Sequence, residues 1–196
     1  MSNLMEKLTG LKKIKTAVFI SGTGSNLKNL IKFSKIKKSP ISIDLIISNT
    51  NKAKGLKYGN QFKIKKKIIN FKNFKSAEKD ILTLTVNKKI NFICLAGFMK
   101  ILSKNFIKKF NGKIVNIHPS LLPKYKGLNT HEKAIINKDK FAGCTVHYVT
   151  AQLDSGKIIL QKKIKIATKD DSNSLAQKVL KQEYKLYPAA ILKIFS

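Results

Sequence analysis

Lys15-Thr16-Ala17-Val18-Phe19-Ile20-Ser21-Gly22-Thr23-Gly24-Ser25-Asn26-Leu27 decides the fold. A β-rich run ends on a Gly-x-Gly turn and passes directly into a segment with helical patterning. A strand that turns on glycine into a helix is the opening half of a βαβ unit, and it calls for a parallel sheet. The alternation continues along the chain. Strands are predicted over 15–21, 41–48, 67–70, 91–96, 113–117, 142–150 and 157–165, and helices over 25–33, 52–59, 76–86, 103–110, 130–137 and 171–195. Before residue 91 the pattern is that of a doubly wound, Rossmann-like half. After residue 113 the strands lengthen and follow one another, as in an antiparallel edge. The expected fold is therefore α/β, one largely parallel sheet with antiparallel C-terminal strands. No linker or repeat interrupts it, so a single domain over 14–196 is expected after a flexible extension, 1–13.

The net charge is +30, and all 40 basic residues are lysine. Lysine on solvated faces accounts for this, and so does a polyanion-binding surface. Without arginine, bidentate reading of phosphates or base edges is absent, so no specific nucleic-acid partner is expected. No apolar run approaches the ~20 residues of a membrane span, and no signal peptide is evident. Cys94 and Cys144 sit singly in apolar runs, with no metal-ligand spacing. A reducing cytoplasm suits them.

Three segments have the residue types of a reactive site. The turn at 21–26 can seat a phosphate on backbone amides at a helix start, or it is an ordinary capped turn. Leu95-Ala96-Gly97-Phe98-Met99-Lys100-Ile101-Leu102 leaves a buried strand with Met99, Ile101 and Leu102 placed either to line a pocket for a flat ring or to fill core. Asn116-Ile117-His118-Pro119-Ser120-Leu121-Leu122-Pro123 sets Asn116 and His118 on one side of a strand end, where open α/β sheets hold their ligands. Asp154 follows 36 residues after His118, in an Asp-Ser-Gly turn. An amide, an imidazole and a carboxylate can together move an acyl group without a covalent intermediate. Asn116 and His118 also read as a turn asparagine with a core histidine, and Asp154 as a turn residue. Glu183 lies on a mostly apolar helical face, with Val179, Leu180, Leu186 and Tyr187 as its helical neighbours and no basic partner among them, so it reads either as a carboxylate that faces a site and grips ribose hydroxyls or as a solvated surface carboxylate. His131 and His147 are read as non-catalytic, His131 capping a helix or touching substrate and His147 a satisfied interior or edge residue.

Taken together these segments resemble the phosphoribosylglycinamide formyltransferases, folate-dependent enzymes of purine synthesis. The resemblance runs from about residue 15 to 188 and rests on SGTGSNL, LAGFMKIL, NIHPSLLPKYKGLNTHEKA, the stretch 143–156 and QEYKLYP. It implies transfer of the formyl group of 10-formyltetrahydrofolate, a co-substrate, to the amino group of phosphoribosylglycinamide, with no metal. Gly24, Ser25 and Asn26 would hold the phosphate, and Glu183 the ribose. Met99, Lys100, Ile101 and Leu102, with Asn116, Thr150, Ala151, Gln152, Leu153 and Asp154, would border the folate. Asn116 would stabilise the oxyanion and His118 shuttle the proton. Asp154 would orient His118 and favour its charged form. Lys100 stands where many relatives carry arginine, Thr23 replaces an asparagine, and Lys75 is a candidate for the folate's glutamate tail.

Methionyl-tRNA formyltransferase shares this layout, but it reads His-Gly-Ser where this chain has His118-Pro119-Ser120, and it carries a further C-terminal domain. Formyltetrahydrofolate deformylase carries an N-terminal domain not seen here. A nucleic-acid-binding module would need clustered basic residues interleaved with stacking aromatics, and the sequence does not display them. Oligomeric state is not legible.

Overall fold

A computed structural model describes residues 13–196. The expectation for the N-terminal extension falls almost wholly outside them. Of that segment only Lys13 is described, and its ammonium donates to the Ser34 carbonyl at 2.7 Å.

The chain runs β1 Ile14–Ile20, α1 Ser25–Lys35, β2 Ile41–Ser48, a 3-10 turn Lys54–Leu56 leading into α2 Lys57–Gln61, β3 Lys65–Ile68, α3 Phe74–Asn87, β4 Phe92–Leu95, α4 Lys104–Lys109, β5 Lys113–His118, α5 Thr130–Ile136, β6 Phe141–Tyr148, β7 Ile158–Lys165 and α6 Ser172–Phe195. One seven-stranded sheet has the order β3-β2-β1-β4-β5-β6-β7. Every pairing from β3 through β5 is parallel, and β6 and β7 close the sheet antiparallel. The order reverses at β1, between β2 and β4, which opens a crevice at the carboxyl ends of the strands.

Alternation along β1 feeds a core on each face. Val18 and Ile20 pack with Leu27, Leu30 and Ile31 of α1 and with Val179, Tyr187 and Ile191 of α6. Ala17 and Phe19 pack on the other side with Ala77 and Ile81 of α3 and Phe106 of α4. Cys94 and Cys144 are buried free thiols. Burial, and then the nearby Glu183 charge, push the Cys144 thiol up to about 12, so both behave as small core hydrophobes.

Two elements differ from the sequence reading. β3 lies two residues earlier than predicted, at Lys65–Ile68, pairing Leu45 with Lys65 and Ser48 with Ile68. All four of its residues are exposed, so no inward alternation marks its register. The predicted helix over 52–59 is a 3-10 turn and a five-residue helix instead.

Local chemistry fixes the long helix. Asp171 caps α6 and exchanges hydrogen bonds with Ser174 in a capping box. Pro188 lies inside the helix and has no N–H to offer the Tyr184 carbonyl. The Asn29 amide of α1 takes that carbonyl instead, at 2.8 Å. The proline thereby becomes a point of attachment between α1 and α6. Among the described residues no helix is long and apolar enough to cross a membrane.

Candidate active site

A cleft of about 970 Å³ occupies the crevice at the carboxyl ends of β1, β4 and β5. Its first wall is the turn after β1. Gly24 has φ 74°, and a Cβ there would lie 2.6 Å from Gly55 Cα, so only glycine fits. Gly24 is also the N-cap of α1 and supplies no side-chain cap. The first amides of an eleven-residue helix therefore face the cleft without an internal partner, which suits an anion. Ser25 and Asn26 line this wall, but neither caps the helix. The Asn26 amide instead donates to Glu183 Oε2 at 2.7 Å. Burial pushes the Glu183 carboxyl above its ordinary range, against the lowering effect of that hydrogen bond. Asn26 Oδ1 is buried with no hydrogen-bond partner, leaving an acceptor for an incoming donor.

Leu95 to Leu102 form the second wall. The Ser21 hydroxyl accepts the Met99 N–H at 2.8 Å, and the Ser21 N–H donates to the Gly97 carbonyl, so the turns after β1 and β4 are tied together. Met99, Ile101, Leu128 and Leu153 expose 60, 56, 68 and 47% of their surface, and all four line this cleft. Large apolar side chains left in solvent around one recess mark a binding surface. Lys100, Leu102, Thr150 and Gln152 line it as well. Ala151 is exposed outside the lining, and so is Lys75, on the first turn of α3.

Between the walls lie the polar groups. The parallel register sets Asn116 beside Leu95. His118 Nδ1 is 3.3 Å from Asp154 Oδ2, and its Nε2 is 2.8 Å from the Tyr125 carbonyl. A carbonyl only accepts, so Nε2 carries a proton, and the ring matches both neighbours when doubly protonated. Asp154 has φ 45°, an uncommon conformation for a residue with a side chain. It is 9% exposed, and the Gly127 N–H donates to its Oδ2 at 2.9 Å. Burial pushes the Asp154 carboxyl up. The hydrogen bonds from His147 and Gly127 and the charges of His118 and His147 outweigh it and hold the carboxyl below its ordinary range.

His147, read from the sequence as a satisfied interior or edge residue, is buried with both ring nitrogens partnered, and it lies beside these groups, which the sequence did not signal. Antiparallel pairing puts it opposite Asn116. Its Nε2 lies 3.3 Å from Asn116 Nδ2 and 3.6 Å from Asp154 Oδ1, while Nδ1 donates to the Tyr148 carbonyl at 2.8 Å. That last bond commits Nδ1 as a donor and leaves Nε2 two uses: protonated, it donates to Asp154 Oδ1, and in the neutral ring it accepts from the Asn116 amide and fixes how that amide is turned. His131 also lines the cleft. Its Nδ1 is buried and unpartnered, and burial, then the neighbouring His118 charge, lower its pKa. Among the described residues, no group of His, Cys, Asp and Glu side chains is arranged to hold a metal ion.

Residues 14–191 match the family model described as formyl transferase. Phosphoribosylglycinamide formyltransferase of Haemophilus influenzae is 41% identical over 184 residues, covering 92% of this chain and 86% of that protein. The human trifunctional purine biosynthetic protein adenosine-3 is 42% identical over 188 residues, 94% of this chain but only 19% of the length of that protein. The crystal structure of phosphoribosylglycinamide formyltransferase from Brucella melitensis superposes with a TM-score of 0.88 at 39% identity, over 93% of this chain and 96% of that one. With the family model spanning nearly every described residue and the fold agreeing over nearly all of both chains, this chain belongs to the formyl transferase family.

Proposed function

We propose that this protein transfers the formyl group of 10-formyltetrahydrofolate to the amino group of phosphoribosylglycinamide, in purine biosynthesis. The observation that carries this reading is one cleft joining an uncapped helix start, an apolar wall and the Asn116–His118–Asp154 cluster. The first matches a ribonucleotide phosphate and the second a pteridine ring. The third matches a carbonyl that becomes anionic.

In this reading the α1 amides hold the phosphate, and Glu183, carried by Asn26, meets the ribose hydroxyls. The substrate amine attacks the formyl carbon. A new C–N bond forms, and the formyl oxygen takes negative charge. The Asn116 amide, turned by His147, donates to that oxygen, a contribution commonly worth ~10²–10³ in rate. His118 releases its Nε2 proton from the Tyr125 carbonyl to the reacting atoms, and Asp154 keeps the opposite nitrogen oriented. That proton reaches the folate nitrogen, and the proton lost by the attacking amine returns to His118, so the ring ends as it began. The C–N bond to the folate breaks, and formylated ribonucleotide and tetrahydrofolate leave. Holding both substrates in one cleft supplies much of the remaining acceleration.

The test offers 10-formyl-dideazafolate with phosphoribosylglycinamide or initiator methionyl-tRNA and follows absorbance. Deformylation that requires the ribonucleotide supports the reading. Dependence on tRNA, or loss of formyl with neither acceptor, refutes it.

A further inference from the structure

At the other end of the sheet, the amino ends of β1, β3 and β5 and the segment entering β4 border a second cleft of about 1140 Å³. Seven of its sixteen lining residues are lysine, against 40 of 196 in the chain. The catalytic cleft has thirty-five lining residues and one lysine, Lys100. A uniform lysine bias does not divide charge this way. Lys13 is held by the Ser34 carbonyl. Among the described residues, Lys15, Lys63, Lys65, Lys88, Lys89 and Lys113 form no ion pair with a carboxylate, and Asp44 is the only carboxylate in the lining. Lys63 and Lys89 hold φ of 55° and 56°, at turns after helices where glycine is less strained.

We propose that this cleft binds single-stranded nucleic acid through its phosphates, without sequence preference. From β3 across to β5 the lysines span four inter-strand steps, about 19 Å. That is longer than the phosphate chain of a nucleoside triphosphate and suits successive phosphates of a strand. The site is recessed, so a flat membrane would touch only its rim. Asn87, Asn91 and Asn111 offer amides to ribose and base edges. Phe195 is half-buried against Phe92, with the Lys113 ammonium 5.2 Å from its ring centre, so it forms an apolar floor and offers little open face for stacking. Without arginine there is no bidentate base reading. The ligand is therefore recognised by charge spacing.

The experiment measures anisotropy of a dye-labelled oligouridylate across a potassium chloride series. One variant carries Lys63→Gln, Lys65→Gln, Lys89→Gln and Lys113→Gln. A control of equal net charge carries Lys79→Gln, Lys104→Gln, Lys162→Gln and Lys181→Gln, exposed lysines outside the cleft. The cleft variant is expected to bind at least tenfold more weakly at low salt. Its log–log salt slope should be shallower by about 3, since each phosphate that no longer meets a lysine takes away roughly 0.7. The control should keep the parent slope, and formyl transfer should be unchanged in both. If the quadruple variant does not fold, Lys89→Gln and Lys113→Gln singly should each lower the slope by about 0.7. Equal weakening in cleft and control variants overturns the proposal, because net charge alone would then bind. Displacement of the oligonucleotide by tripolyphosphate at equal concentration also overturns it, because the site would then take a compact polyphosphate.

Discussion

Replacing Gly24 by alanine tests whether the start of α1 holds the ribonucleotide. The new Cβ would meet Gly55 Cα at 2.6 Å, about 0.8 Å inside the 3.4 Å where ordinary contact begins. Gly55 cannot simply retreat, because its N–H is bonded to the Gly22 carbonyl at 3.0 Å, so the start of α1 must move. Holding alanine at φ 74° adds roughly 1–2 kcal/mol. For a chain of this size ~2 kcal/mol of destabilisation corresponds to about 4–8 °C in Tm. A shift approaching 1 Å takes the helix-end amides out of hydrogen-bond range. A charge-assisted hydrogen bond is worth ~1.5–3 kcal/mol, so weakening one should raise KM for the ribonucleotide about tenfold or more. Asn116, His118 and Asp154 lie on β5 and the loop after β6, so kcat should change little. Steady-state kinetics with each substrate varied in turn, beside thermal unfolding, separates these effects. A lower Tm with an unchanged ribonucleotide KM would refute the reasoning, as would a rise confined to the folate KM.

Asn116→Ala should lower kcat by ~10²–10³ with little change in either KM, since the donor acts on charge present only in the transition state; stopped-flow turnover at saturation measures it. His118→Asn should lose activity by orders of magnitude while circular dichroism stays that of the parent, and near-normal turnover would remove His118 from the mechanism. Asp154 has its carboxyl held low, so its ionised form stabilises the fold above its ordinary value of 3.8 and that contribution fades as pH falls through the folded value. The stability gap between parent and Asp154→Asn should therefore close below about pH 4, and a gap constant with pH would mean the carboxylate charge is not its source. Glu183 has the opposite sign: its raised carboxyl favours folding below its ordinary 4.5 and loses that benefit as pH rises through the folded value. Glu183→Gln should accordingly raise Tm at pH 7, show no gain at pH 4, and raise the ribonucleotide KM.

Local pattern decided most of this fold because hydrophobic periodicity is a local signal. β1 announces itself through Val18 and Ile20 on one face and Ala17 and Phe19 on the other. β3 does not, because Lys65, Lys66 and Lys67 face solvent and only pairing with β2 sets their register. The site divides in the same way. Asn116, His118 and the turn at Gly24 are legible from their places at strand ends. Asp154 is named by its residue type but not by its place, since an Asp-Ser-Gly turn reads alike whether or not a histidine lies 3.3 Å away. His147 stays hidden between Val146 and Tyr148 until β6 runs antiparallel to β5 and brings it opposite Asn116. Asn26 reads as a helix cap, and only the packing of α6 on α1 turns its amide to Glu183.

The lysine run of β3 has a bearing on how copies of the chain meet. A sheet border with free N–H and C=O groups is a template for another strand, and proteins guard it with charge, bulges or cover. Among the described residues the border has neither bulge nor cover over Lys65–Ile68. Two copies approaching border to border would bring ammonium rows within one strand spacing, about 4.8 Å, well inside the ~10 Å over which salt at 0.1 M screens them. Mutual repulsion therefore takes the place of a steric guard, and this protection is one that concentrated salt switches off.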